Sequence, residues 1–338
     1  MKELRKLLIT VFILFFTTNV FALSEVNYLQ NYQEKIIPLI NSMSDGSFSG
    51  VKGLAIHYKT LITPGARNCL VILPGRTEPV EKYAEVVYDL MQTNAGKNLN
   101  FFLLDHRGQG SSGRMKAPSD MGHVDLFENY VADLEKFVIN QKLDLACEQK
   151  FLLAHSLGAG IATAYILKHS QGFDRVALSS PMLKIKTAPY SYGVAKAIIQ
   201  ASVLVGRGAK FSIGQSGFDP NLKFADNTFT TSPERFHMAM SVFKEYPKTK
   251  LGGVSNRWIL EVMKGTKVFR SHYHEINVPL RVFTAGMESY SEPSEMIKLC
   301  AEASDCKRIN LENSKHEVMM DRDANRDIVI NEVSNFFN

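Results

Sequence analysis

The chain has 338 residues, of which 45% are hydrophobic and 22% charged, with a net charge of +5. That balance excludes a disordered, collagen-like or coiled-coil protein. It leaves one large α/β domain with an insertion, or two domains, and enough chain to bury a substantial core.

In chain order, the N-terminus comes first and lies outside the expected fold. Lys2, Arg5 and Lys6 form a positive stretch, and residues 7–16 are apolar except for Thr10. Val20-Phe21-Ala22 then supplies small residues at cleavage spacing, so residues 1–22 read as a signal peptide cut after Ala22. An uncleaved membrane anchor is the alternative, although the run is shorter than the ~20 residues that span a bilayer. Either reading puts the body outside the cytosol, periplasmic or secreted. The four cysteines, Cys69, Cys147, Cys300 and Cys306, suit such a compartment. None is spaced as a zinc ligand, so no metal is expected; four buried thiols stand against two disulfides.

Residues 23–41 predict a helix capped by Ser24. Residues 47–51 and 54–61 predict a hairpin. Short apolar runs then alternate with helical stretches: strands at 69–73, 100–104, 151–154 and 176–178, helices at 81–91, 127–140 and 157–169. Alternation of this kind predicts a mainly parallel sheet with helices on both faces. It stops between 182 and 270, where helices follow one another without strands. It resumes with a strand at 280–284, a helix at 292–303, a strand at 308–311 and a helix at 325–337. The expected division is therefore a core of 23–181 and 271–338 with a helical lid at 182–270. There is no internal repeat.

Ala154-His155-Ser156-Leu157-Gly158 stands between a buried strand and a helix rich in small residues. That is the setting of a nucleophile elbow, whose tight turn needs small residues two before and two after the serine. The bare pattern is weak, and a capping serine is the bland reading; the strand-turn-helix context favours Ser156 as nucleophile. A serine hydroxyl needs a base, and the base an orienting acid. On such a fold the order is Ser, acid, His. His316, in a polar loop after the strand at 308–311, is the candidate base. Glu288, after the strand at 280–284, is the candidate acid, with Glu292 as runner-up. The oxyanion donors expected are the N–H of Leu157 and that of Arg76, in the loop Pro74-Gly75-Arg76. No cofactor is implied.

The chain resembles the branch of α/β-hydrolases that holds bacterial lysophospholipases, monoacylglycerol lipases and serine-aminopeptidase-like hydrolases. The resemblance rests on residues 75–83, Asp105-His-Arg-Gly-Gln-Gly-Ser-Ser-Gly113, residues 154–160, Ser232-Pro-Glu-Arg-Phe236, residues 251–258, Glu288, and His316-Glu317 with Arg326. It covers almost all of the chain after Ser47 and implies the α/β-hydrolase fold. Asp105 and Arg107 are expected to brace a tight turn. Three positions depart from the pattern: Pro74 where His is frequent, Glu288 where Asp is commoner, and Ala154 in place of Gly.

On that fold the strand carrying Cys69 lies beside the nucleophile strand. Counting back from the active-site edge puts Cys69 and Cys147 near the opposite edge on neighbouring strands, ~4.8 Å apart and within disulfide reach if the side chains face each other. Cys300 and Cys306 would form a local second pair. Side chains on opposite faces would instead leave Cys69 and Cys147 as thiols.

The insertion holds 14 Lys/Arg against 5 Asp/Glu, while the rest of the chain is net negative. Its apolar stripes include residues 192–205. Basic heads beside apolar helices suit an anionic membrane surface and acyl chains; a solvated charged surface is the plain alternative. Nucleic acid is not an expected partner, because no reader motif is present. The leading expectation is a serine hydrolase that cleaves a carboxylic ester of a single-chain lipid, a lysophospholipid or monoacylglycerol. An aminopeptidase or general esterase with the same triad is the alternative, and an inactive lipid-binding protein a third, disfavoured because all three triad roles are filled.

Overall fold

The computed structural model describes residues 22–338; the signal reading of residues 1–21 lies outside them. Eight strands form one sheet in the order β1-β2-β4-β3-β5-β6-β7-β8. They are β1 (Ser44–Ser49), β2 (Ala55–Leu61), β3 (Asn68–Leu73), β4 (Leu99–Leu104), β5 (Lys150–His155), β6 (Arg175–Ser179), β7 (Leu280–Ala285) and β8 (Cys306–Leu311). The β1–β2 hairpin is antiparallel, and β2 meets β4 antiparallel; every other pairing is parallel. This is the α/β-hydrolase arrangement expected.

Period-two alternation explains why helices cover both faces. Val71, Leu73, Phe102, Leu104, Leu152 and Ala154 belong to one core layer. Their chain neighbours Leu70, Ile72, Phe101, Leu103, Phe151 and Leu153 belong to the other. The second layer is covered by α1 (residues 28–42), α2 (Ala84–Met91) and, at the chain end, a C-terminal helix (Asp323–Phe337). The first layer is covered by α3 (Glu128–Asn140) and α4 (Ser156–Lys168).

Between β6 and β7 lie α5 (Tyr192–Ser202), α6 (Pro233–Glu245) and α7 (Asn256–Phe269); α8 (Pro293–Glu302) and α9, the C-terminal helix, follow. Serines 191, 232 and 255 cap α5, α6 and α7, each accepting a hydrogen bond from the backbone N–H three residues on. The lid expected at 182–270 is narrower by packing. Trp258, Val262 and Phe269 of α7 sit in the first core layer, and Gly265 lets the helix lie against Phe127, where a Cβ would come within 2.3 Å. The apolar face of α7 is thus a core face, packed in the same layer as α3 and α4. Short-range patterning could not make that distinction.

The first helix also differs. It starts at Tyr28, not at 23, and Ser24 does not cap it: its hydroxyl donates to Asp323 of α9 at 2.9 Å. Both disulfides are formed, Cys69–Cys147 with a Cα–Cα distance of 5.7 Å and Cys300–Cys306 with 5.0 Å. The parallel register of β3 on β5 pairs Cys69 with Lys150, which brings Cys147 alongside.

Candidate active site

Ser156 ends the turn from β5 into α4 with φ 48°, a left-handed conformation rare for a residue with a Cβ. The turn fits because its neighbours are small. At Gly158 a Cβ would lie 2.5 Å from the carbonyl oxygens of Leu73 and Pro74, so only glycine lets α4 start this close to β3. Ala154, two residues before the serine, is fully buried without disturbing the turn.

His316 Nε2 lies 2.8 Å from Ser156 Oγ, and His316 Nδ1 lies 2.7 Å from Glu288 Oε2. A carboxylate on Nδ1 keeps the proton there and leaves Nε2 to accept from the serine hydroxyl. Glu288 Oε1 accepts from the N–H groups of Tyr290 at 2.7 Å and Ser291 at 3.2 Å. Burial works to raise this carboxyl, but His316 and those two N–H groups outweigh it and hold Glu288 below the usual carboxylate range. The longer side chain at the acid position is thus taken up by its own turn. Glu292, the runner-up, stands at the start of α8 with its N–H on the Lys184 carbonyl. The ring of Tyr290 packs on His316 with centroids 4.7 Å apart, and Ser180 Oγ donates to the His316 carbonyl at 2.7 Å.

The loop Pro74-Gly75-Arg76 is clamped from the 105–113 stretch. His106, pushed down to about 4 by burial and therefore neutral, donates Nε2–H to the Pro74 carbonyl at 2.9 Å. Gln109 Nε2 donates to the Gly75 carbonyl at 2.8 Å. Because a trans peptide points its C=O and N–H in opposite directions, the Gln109 bond turns the Arg76 N–H to the other side of the loop. The N–H of Leu157, in the first turn of α4, has no intrahelical acceptor. Both residues adjoin Ser156, and Arg76 lines the same small cavity, about 70 Å³, with Ser156, His316, Phe229 and Tyr290.

Asp105 and Arg107 do brace the turn, each through a different partner. Asp105 accepts from the N–H groups of Ser111 and Val80 and from His57 Nδ1–H at 2.7 Å. Arg107 pairs with Asp133 of α3 at 2.7 Å. Gly110 packs directly over the Asp105 carboxylate, where a Cβ would come within 2.0 Å.

Sequence reading missed a buried charge relay beside the oxyanion loop. Lys82 Nζ reaches Glu78 Oε1 at 2.7 Å and Glu317 Oε2 at 2.6 Å. Glu78 also accepts from the Gly75 N–H and the Tyr83 hydroxyl, both at 2.6 Å. One ammonium therefore ties the oxyanion loop to the residue after His316. Burial opposes the charge on Glu78, yet Lys82 and Tyr83 hold that carboxyl well below its usual range; burial and the charge of Glu78 push Glu317 upward. Glu78, His155 and Glu317 have metal-ligand spacing, but the Lys82 ammonium already lies between the two carboxylates and pairs with both. The i,i+4 pair Glu78/Lys82 was the available signal. Only tertiary contact shows that Glu317 completes it.

A second cavity of about 210 Å³ adjoins the first through Arg76, Phe229 and Tyr290 and runs under α6, between Phe218, Leu222, Met240 and Phe243. A larger apolar cavity, about 370 Å³, lies between α3, α4 and α7 and contains none of these residues.

Residues 64–323 match the profile of the hydrolase family described as serine aminopeptidase, S33. The chain belongs to this S33 family. Among its relatives, lysophospholipase L2 of Escherichia coli strain K12 is 26% identical over 302 residues, covering 87% of each chain. The probable lysophospholipase L2 of Haemophilus influenzae is 26% identical over 314 residues, 90% of this chain and 95% of that one. A soluble variant of monoglyceride lipase from Saccharomyces cerevisiae shares the fold, with a TM-score of 0.66 at 16% identity over 88% of this chain and 95% of that one. The S33 match reaches from before β3 to the start of α9, so it spans the elements that carry Ser156, Glu288 and His316.

Proposed function

We propose that this protein hydrolyses a carboxylic ester of a single-chain lipid, a lysophospholipid or monoacylglycerol, through an acyl-enzyme on Ser156. The observation that carries the reading is the unbroken relay Glu288–His316–Ser156 opening onto a cleft whose far end is apolar. His316 takes the proton as Ser156 Oγ attacks the ester carbonyl. The N–H groups of Leu157 and Arg76 receive the oxyanion. His316 returns the proton to the leaving alcohol, and a water activated by the same histidine frees the acid. The names of the S33 relatives favour the lipid ester over a peptide. Of the carboxylates lining the cleft, Glu78 and Glu317 are committed to Lys82, which leaves Asp219 as the one an aminopeptidase could offer to a substrate's α-ammonium.

The basic, apolar insertion would hold the enzyme against an anionic membrane. Val194, Leu204, Val205 and Ile213 are exposed on and just after α5, with Arg207 and Lys210 among them. No helix among the described residues is long and apolar enough to cross a membrane. Export through residues 1–22 to an oxidising compartment accords with two disulfides.

The test is fatty-acid release by the purified protein from lysophosphatidylethanolamine and monooleoylglycerol, with Ser156→Ala alongside. Release that Ser156→Ala lowers at least a thousandfold supports the proposal. Cleavage of short esters or aminoacyl amides without any fatty-acid release overturns the substrate assignment.

A further inference from the structure

Ala22 and Leu23 are buried, 6% and 5% exposed. Two carboxylates bracket the peptide bond between them. The Ala22 N–H donates to Asp327 Oδ1 at 3.2 Å, and the Leu23 N–H donates to Asp89 Oδ1 at 2.8 Å. Around this point acids outnumber bases. Glu85, Asp89, Asp323 and Asp327 face Arg235 and Arg326, with Glu25 a further acid on the terminal segment itself. Arg326 pairs with Asp89 and lies 3.5 Å from Glu85. Arg235, on α6 of the insertion, pairs with Glu85 and Asp323 at 3.0 Å and donates to the Leu23 carbonyl at 2.6 Å. The cluster thus joins four parts of the chain: the N-terminal segment, α2, α6 and α9. Burial pushes the Asp89 carboxyl upward despite Arg326, as expected of an acid short of positive charge.

We infer that Ala22–Leu23 is a processing site, and that the α-ammonium freed on Leu23 becomes the buried counter-ion of Asp89, so that the mature terminus fastens α6 to the core. The inference rests on the reading of residues 1–22 as an export signal and not on the lipid substrate. Hydrolysis of the Ala22–Leu23 amide by a peptidase of the export machinery takes up one water, leaves the carboxylate on the departing Ala22 and the ammonium on Leu23, and so withdraws one neutral N–H from Asp327 and turns the N–H on Asp89 into a cation. A buried anion paired with a cation is held more strongly than one that accepts from an amide. The bond is covered in the folded protein, so cleavage must precede folding, which is the order that export imposes. An uncleaved chain would fold with the same amide hydrogen bond but without the charge.

Two measurements separate the site from the ion pair. Intact mass of the exported protein reads the cleavage position: a chain beginning at Leu23 supports the inference, and any other terminus overturns the processing site. Thermal unfolding then compares three purified proteins: the chain beginning at Leu23, the same chain with its terminal amine acetylated, and one extended by Gly-Gly-Ala22. The free amine should raise Tm by about 4 °C over both others. Asp89→Asn should remove that difference while lowering all three, because Arg326 also loses its partner. Equal Tm for free and acetylated chains, or a difference that survives Asp89→Asn, overturns the ion pair whatever the cleavage site.

Discussion

At Ser156 the backbone holds a left-handed turn that costs on the order of 1–2 kcal/mol for a residue with a side chain. The strain persists because Gly158 admits α4 against β3 and because the strand before it is buried from Phe151 to His155. What the turn achieves is a hydroxyl raised into hydrogen-bond reach of His316. Glu288 is the group that orients this histidine, so Glu288→Gln should lower kcat by about a thousandfold, and Glu292→Gln should leave it within about twofold of wild type. The measurement is initial-rate hydrolysis of a soluble ester; the reverse order would transfer the acid to Glu292. Gln109 touches neither Ser156 nor His316 among the contacts described, yet it fixes the Gly75–Arg76 peptide, whose N–H is the proposed oxyanion donor. Gln109→Ala should therefore lower kcat roughly tenfold or more with little change in KM, a fraction of the 10²–10³ typical of losing a donor outright. A change confined to KM would show that the loop holds its shape without it.

Among the elements, α5 and α7 show how similar apolar patterns acquire opposite uses. α7 turns Trp258, Val262 and Phe269 into the core. α5 buries only Ile199, and its exposed face continues into Leu204, 85% exposed, and Val205, 72% exposed. These water-facing residues are the part of the insertion on which the proposed membrane contact would rest. The basic residues around it are not equivalent. Lys186 holds the Glu288 carbonyl at 2.5 Å and Lys184 lies over the Tyr192 ring at 5.5 Å, so these two serve the fold near the site. Arg207 and Lys210 are exposed. The combined substitution Leu204→Ser, Val205→Ser, Arg207→Gln and Lys210→Gln should weaken binding to phosphatidylglycerol vesicles at least tenfold and leave hydrolysis of a soluble ester unchanged. Sedimentation with vesicles and a chromogenic ester assay read the two effects; an equal loss in both would assign these residues to the fold instead.

For the whole molecule, the sheet is stitched at the edge opposite the active site. Cys69 and Cys147 close 78 residues that include β3, β4, α2 and α3. In the chain-entropy model such a loop contributes about 4 kcal/mol, against about 2 kcal/mol for the six-residue spacing of Cys300 and Cys306. Urea unfolding of Cys69→Ser/Cys147→Ser should show the larger loss, with Cys300→Ser/Cys306→Ser the smaller. Both should retain ester hydrolysis where they stay folded, since neither pair touches the site.

Much of this architecture was legible before any coordinates. The strands of the core read clearly because each is a short, almost wholly apolar run, and burial on both faces demands that composition. That Ser156, His316 and Glu288 would meet was legible because the proposed chemistry needs a fixed order along a fixed fold, and the three side chains do lie in contact. Once the family resemblance put their strands side by side, counting brought Cys69 and Cys147 within reach, because parallel neighbours advance at the same rise per residue; that their side chains face each other was decided by the fold. What local pattern could not decide was every relation between distant parts of the chain. Lys82 looks like a surface lysine until Glu317, 235 residues away, meets it beneath the oxyanion loop. Arg107 finds Asp133, and Leu23 finds Asp89, by the same route. A helix pattern records that one face is apolar, but not whether that face meets a sheet or water; α7 and α5 differ there. The sequence by itself determined most of the elements and named the candidate reacting groups, since propensity, periodicity and chemical type are local properties. Only the tertiary structure decided the partners of buried charges and the fate of each apolar face, because the free energy of an ion pair or a buried surface depends on what lies across the contact.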